Sequence, residues 1–151
     1  MKKVIFTLIA CFTLSVSIAQ ENEKTVIPYV SAGLSLGNGS FAQSSYASIE
    51  GGISMKNIGF GFCAGRSYLD FSTADIASNY FWEIKTSPTI PIKSFSIYGV
   101  LGYGGYFTTS NMFVEYGAGM SYMPKNFGYF AQWSNWDKLP YVSVGLSYCF
   151  N

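Results

Sequence analysis

The chain has 151 residues, enough for one domain, with nine basic and eight acidic side chains and no histidine. Charged residues are 11% of the chain, against about a quarter in soluble domains, while Tyr, Phe and Trp make up 19%. The balance leaves no basic patch for nucleic acid, and the lack of histidine excludes a Ser–His lipase or a histidine-dependent acyltransferase as usually built.

Met1-Lys2-Lys3 is followed by an apolar run, Val4–Val16, and then by Ser17-Ile18-Ala19. A basic start, a short apolar core and small residues at the cleavage positions predict a secretory signal peptide over residues 1–19, cut between Ala19 and Gln20. Leu8-Ile9-Ala10-Cys11 offers a rival, lipoprotein-type cut before Cys11, but apolar sequence continues well past it. The apolar core is too short to span a bilayer, and no later segment approaches 18 consecutive apolar residues. Cleavage removes two of the nine basic side chains, leaving seven against eight acidic ones. Residues 20–24 read as a polar leader, and residues 25–151 as the folded domain.

From Thr25 the chain breaks into segments with a period of two. The first, about Val26–Leu36, sets Val30, Ala32, Leu34 and Leu36 against Ser31, Gly33 and Ser35. The second, Ser45–Met55, sets Ala47, Ile49, Ile53 and Met55 against Tyr46, Ser48, Glu50, Gly52 and Ser54. Lys56-Asn57 is a two-residue hairpin signal leading into Ile58–Arg66, where Ile58, Phe60, Phe62 and Ala64 alternate with Gly59, Gly61, Cys63 and Gly65. After a polar stretch, Ser67–Ser78, the fourth segment is Asn79–Ile90, with Tyr80, Trp82, Ile84 and Ile90 opposite Phe81, Glu83, Lys85 and Ser87. The chain turns over Pro91–Ser94. The fifth segment, Phe95–Gly105, places Phe95, Ile97, Leu101 and Tyr103 outward, although Tyr98 and Val100 make its other face bulky too. Asn111–Met123 is the sixth, Phe127–Trp133 the seventh and Tyr141–Phe150 the eighth; Pro124-Lys125-Asn126 is a turn and Ser134–Leu139 a loop.

The predicted fold is therefore all-β: an eight-stranded antiparallel transmembrane up-and-down β-barrel preceded by a cleavable signal peptide. In most segments the bulky face is apolar and the opposite face is largely small or polar. That pattern is poor in water, and fits lipid outside and a narrow lumen inside. A lipocalin-like soluble barrel would reverse it. Eleven strand glycines, among them Gly33, Gly61, Gly102 and Gly145, fall on the inner face, whereas Gly51, Gly99 and Gly105 do not. Outward aromatics sort into two belts: Phe95, Tyr122, Phe127, Tyr148 and Phe150 near the tight turns, and Tyr80, Trp82, Tyr103 and Trp133 near the opposite ends. An even strand count puts both chain ends on the tight-turn side, the periplasmic side of an outer-membrane barrel.

With these strands and the terminal Gly145-Leu146-Ser147-Tyr148-Cys149-Phe150-Asn151, the chain resembles the OmpA/OmpX-like small outer-membrane barrel family over about Thr25–Asn151. The resemblance implies a bacterial outer-membrane location, lipid as the surrounding partner, and recognition by the barrel-assembly machinery through the last strand. Tyr148 and Phe150 would carry that assembly signal, with Asn151 following as a departure. The family is functionally mixed, so the fold leaves function open.

Few ionisable groups fall within strands. Glu50, Glu83, Lys85 and Glu115 point inward by parity, as does Gln132; Arg66 has outward parity, but a bulge beside Gly65 would turn it inward. Together they are expected to form a lumen plug of ion pairs and hydrogen bonds, with a gate as the rival reading. Cys63 and Cys149 read as small lumen residues, with a disulfide as the alternative. No cofactor or metal site and no enzymatic activity is expected. The expected role is structural in the cell envelope. The runner-up is binding of an extracellular ligand through Asn38, Phe41, Asp70, Phe71, Asp75, Phe107, Asn111, Asn135, Trp136 and Asp137, and a narrow pore comes third.

Overall fold

Period-two alternation gives every strand one apolar face and one small or polar face, and the backbone satisfies its hydrogen bonds by pairing each strand with two neighbours. The computed structural model describes residues 26–37, 45–55, 57–68, 79–107, 110–136 and 139–150. These hold β1 (Ile27–Gly37), β2 (Ser45–Met55), β3 (Ile58–Tyr68), β4 (Asn79–Ile92), β5 (Phe95–Tyr106), β6 (Met112–Tyr122), β7 (Phe127–Trp136) and β8 (Leu139–Cys149). Adjacent strands pair antiparallel in chain order, and β8 returns to β1, with Val30 opposite Tyr148 and Leu34 opposite Val144. The barrel is closed and has no free edge. The signal peptide with its Ala19–Gln20 cleavage site, Cys11, Lys56 and the loop residues Asn38, Phe41, Asp70, Phe71, Asp75 and Asp137 lie outside the described residues.

Several strands run further than the alternation suggests. β3 reaches Tyr68 and β4 reaches Ile92, whereas β6 is one residue shorter at each end than expected. The larger correction is at β7 and β8: Asn135 pairs with Pro140 and Trp136 with Leu139, so the stretch assigned to a Ser134–Leu139 loop is mostly sheet. Polar Ser134 and Asn135 hide the continued parity there. At the tight-turn end, Met55 pairs with Ile58 and Ile92 with Phe95. The Ile92–Phe95 hairpin puts Lys93 in the left-handed region at φ 57°.

The exterior is apolar. Leu34, Ile49 and Met120 are each more than 60% exposed, and exposed Phe, Tyr, Val and Ile side chains occupy outward positions on all eight strands. Among the described residues, Arg66 is the only charged side chain on the outward parity of the strands. Phe95 packs on Tyr122 at 4.6 Å, and Tyr148 on Phe150 at 5.0 Å, at the turn end; Trp82 and Tyr103 pair at 6.5 Å nearer the loop end. Cys63 on β3 and Cys149 on β8 are free thiols on strands that are not neighbours.

Candidate functional site in the barrel lumen

The lumen is packed in three tiers. The middle tier is built on Lys85. Its directly paired neighbours are Gly61 on β3 and Gly102 on β5, and the next residue in the same cross-strand row is Glu115. The glycines leave the lysine's flanks open, and three carboxylates fill the space: Glu115 Oε2 at 3.2 Å, Glu83 Oε2 at 3.4 Å and Glu50 Oε2 at 3.6 Å from Lys85 Nζ. A Cβ on Gly102 would overlap the Glu83 carboxylate, and one on Gly61 would sit 2.5 Å from Glu50 Oε1. Gly61 and Gly102 are therefore as much part of the cluster as the charges are.

Neutral donors complete it. Gln132 Nε2 donates to Glu115 Oε1 at 2.8 Å, and the Tyr29 hydroxyl donates to Glu50 Oε1. Glu83 and Glu115 are fully buried. Neither oxygen of Glu83 has a hydrogen-bond partner, so its link to the cluster is the Lys85 ion pair. One ammonium thus serves three carboxylates in a space shielded from bulk water. Such an arrangement is held by mutual need, because each charge is costly without its partner.

Toward the loop end lies an aromatic tier. Trp136 is stacked between Tyr46, at 4.5 Å and 16°, and Phe113, at 4.4 Å and 20°. Phe81 meets it edge-on at 4.9 Å and Tyr141 at 5.6 Å, and Tyr106 and Leu139 pack around the stack. All five ring residues of this core are buried, and offset and edge-on ring pairs add to what area burial alone supplies. Below it, Ser35 and Ser143 share a 2.6 Å hydrogen bond.

Toward the turn end lies a polar vestibule of about 210 Å³. Hydroxyls line it, including Ser31, Ser54, Ser87, Thr89, Ser121 and Ser147, and it ends on Glu50, Lys85 and Gln132. Phe130 narrows its upper part; its ring occupies the space left by Gly33 and Gly145. Among the described residues, the lumen therefore has a hydroxyl-lined vestibule toward the turn end, charge at its middle and packed rings toward the loop end.

Of the residues singled out from sequence, the structure gathers Glu50, Glu83, Lys85, Glu115 and Gln132 into one cluster. Arg66 is not in it. β3 pairs without a bulge at this point, Ala47 opposite Arg66 and Arg66 opposite Tyr80, so Arg66 keeps its outward parity. Its guanidinium lies over the Tyr80 ring, 5.6 Å from the centroid, on the outer surface. Trp136, expected on an outer loop, is instead the centre of the aromatic tier. Its parity with Phe130, Gln132 and Ser134 is the signal that would have placed it. Phe107 is exposed at the loop end, as expected, and so is Asn111. Tyr148 and Phe150 lie exposed on the outer face at the turn end, where the Phe150 N–H donates to the Pro28 carbonyl. No group of His, Cys, Asp and Glu suited to a metal ion occurs among the described residues.

The closed eight-stranded antiparallel meander is a fold this chain shares with solved β-barrels. The chain is similar in fold to the N-terminal β-barrel domain of OprF from Pseudomonas aeruginosa, with a TM-score of 0.61 and 13% identity over 85% of this chain and 100% of that one. It is similar also to Neisserial surface protein A, with a TM-score of 0.53 and 12% identity over 85% and 100% of the two chains. At such identities the likeness is one of fold, and the resemblance to OmpA/OmpX-like barrels stands at that level. No protein-family model and no curated protein matches the sequence.

Proposed function

We propose that this protein is an integral barrel of the bacterial outer membrane, with a closed lumen and a structural role in the cell envelope. The observation that carries the reading is an inversion of solvent logic. Exposed aliphatic and aromatic side chains cover the exterior, while Lys85, Glu83 and Glu115 are buried inside. A water-soluble barrel would aggregate through such an exterior, whereas hydrocarbon solvates it. Strands of 10–14 residues suit the roughly 9–11 tilted residues that a bilayer core requires. In this reading the turns face the periplasm, residues 1–19 direct export, and Tyr148 and Phe150 present the assembly signal.

The ionic cluster and the aromatic plug stand in series, which favours a strut over a pore. The filled lumen and the absence of histidine argue against catalysis. A second reading, surface binding through the loops, is favoured by one observation, the 66% exposure of Phe107 at the loop end. The burial of Trp136 removes one of its supports.

Electrophoretic heat-modifiability tests the proposal. Purified protein in detergent should migrate differently before and after boiling and should leave solution when detergent is withdrawn. A chain that stays soluble without detergent and shows no shift overturns it. Unchanged adhesion of a deletion strain would count against the binding role.

A further inference from the structure

We propose that the lumen holds a monovalent cation, bound by oxygens of Glu50, Ser31, Gln132 and Ser147 where the vestibule meets a smaller inner cavity. Such a site needs the fold and the lumen geometry alone, whatever solvates the outer wall. The cluster leaves its own charge unbalanced. Three carboxylates face one ammonium, an excess of two negative charges. Among the described residues, Lys85 is the only cationic side chain on the inward strand faces. The bonding shows the same deficit. Neither oxygen of Glu83, nor Glu115 Oε2, has a hydrogen-bond partner among the described residues, and both side chains are fully buried. Buried charge of this kind is costly until a counter-charge reaches it.

Space and ligands for that counter-charge occur together. Behind the vestibule lies a second cavity of about 30 Å³, room for one ion or water. Ser31, Glu50 and Gln132 line both cavities, so they stand where the two meet. Register explains the grouping. Ser147 on β8 pairs with Ser31 on β1, and Ser31 pairs with Glu50 on β2. Three inward oxygen-bearing side chains thus share one cross-strand row, at about 4.8 Å per step. Ser31 is nine-tenths buried, and no side chain among the described residues takes up its hydroxyl. Gln132 spends its Nε2 on Glu115, which leaves its carbonyl oxygen for a cation. Of the three carboxylates, Glu50 is the one within reach, 17% exposed against 0% for the others and farthest from Lys85 at 3.6 Å. Lys85 approaches Glu50 from the β4 side, whereas Ser31 and Ser147 flank it from the β1 side, so ammonium and cation do not compete for one position.

The ligand set selects the ion. One carboxylate, one amide carbonyl and two hydroxyls are hard, mostly neutral donors. Calcium draws on several carboxylates, and magnesium keeps most of its water. A single reachable carboxylate therefore fits a singly charged ion such as sodium or potassium.

Urea unfolding of the folded protein in uncharged detergent tests this, with sodium chloride or potassium chloride exchanged for choline chloride at constant ionic strength. Heat-modifiability is read on the same samples, so loss of the barrel is seen separately from loss of the ion. Above half-saturation, one site present only in the folded state raises the folding constant about tenfold for each tenfold rise in cation. Saturation by either ion supports the site, and the lower half-saturation names the ion that fits it. Ser31→Ala and Ser147→Ala should each raise the half-saturating concentration severalfold while the gel shift persists. Glu50→Gln should abolish the dependence, and Ser96→Ala, a vestibule hydroxyl outside the row, should leave it unchanged. An unfolding midpoint that is the same in sodium, potassium and choline would overturn the proposal. So would a dependence that Ser31→Ala, Ser147→Ala and Glu50→Gln all leave intact, or stabilisation by calcium in preference to both monovalent ions.

Discussion

Replacing Lys85 with methionine removes the only ammonium of the lumen cluster while keeping most of the side chain's volume. At 3.2, 3.4 and 3.6 Å, each carboxylate gains about 5 kcal/mol of attraction to Nζ at an effective dielectric near 20. These attractions do not add, because the three carboxylates repel one another and each ion has already lost several kcal/mol of hydration. What the substitution exposes is the uncompensated remainder. Glu83 and Glu115 would stay fully buried with no cation, a defect that costs about 3–5 kcal/mol. Urea unfolding of the protein in micelles, followed by tryptophan emission and checked by gel shift, should register that loss. Adding Glu83→Gln or Glu115→Gln to Lys85→Met should return about 1 kcal/mol or more, since each replaces a buried carboxyl group left without its cation by a neutral amide. A loss below about 1 kcal/mol, or a further loss when a carboxylate is neutralised, would refute the view that the cluster is a mutually dependent unit.

Other outcomes follow from the same structure. Gly102→Ala should cost about 1–3 kcal/mol in the same titration, because the new methyl overlaps the Glu83 carboxylate, whereas Gly51→Ala, with nothing within 4 Å, should not destabilise. Lys93→Gly should stabilise the fold by about 1 kcal/mol by relieving a left-handed lysine, with a matching rise in urea midpoint. Ile49→Arg, on the exposed outer face, should cost about 2–4 kcal/mol in a bilayer if it sits near the midplane, and much less in the loose environment of a micelle. Equal effects in the two media would speak against a lipid-facing wall.

Much of this architecture was legible in the sequence because a strand's faces alternate strictly. A reader of Ile58–Arg66 can see the wall and the lumen without coordinates. The parity of Glu50, Glu83, Lys85 and Glu115 was equally plain. What parity cannot supply is height around a sheared barrel. Register, not parity, sets Lys85 and Glu115 in one cross-strand row, two strands apart. The aromatic tier was missed for a related reason. Tyr46 and Phe81 were visible as inward residues, but their meeting point with Phe113 is Trp136, which lay beyond an assumed strand end. Arg66 shows the opposite limit. Charge alone suggested the lumen, and the unbroken β3 ladder keeps it outside.

Conductance measures the central claim most directly. Folded protein, verified by gel shift and inserted into a planar bilayer, should show negligible single-channel current. Lys85→Ala should behave the same, because in the proposed closed lumen the stack of Tyr46, Trp136 and Phe113 would block the path in series with the charged tier. Steady ohmic current through wild-type barrels would contradict a closed lumen, and current appearing only in Lys85→Ala would make the cluster a gate and the aromatic tier no seal.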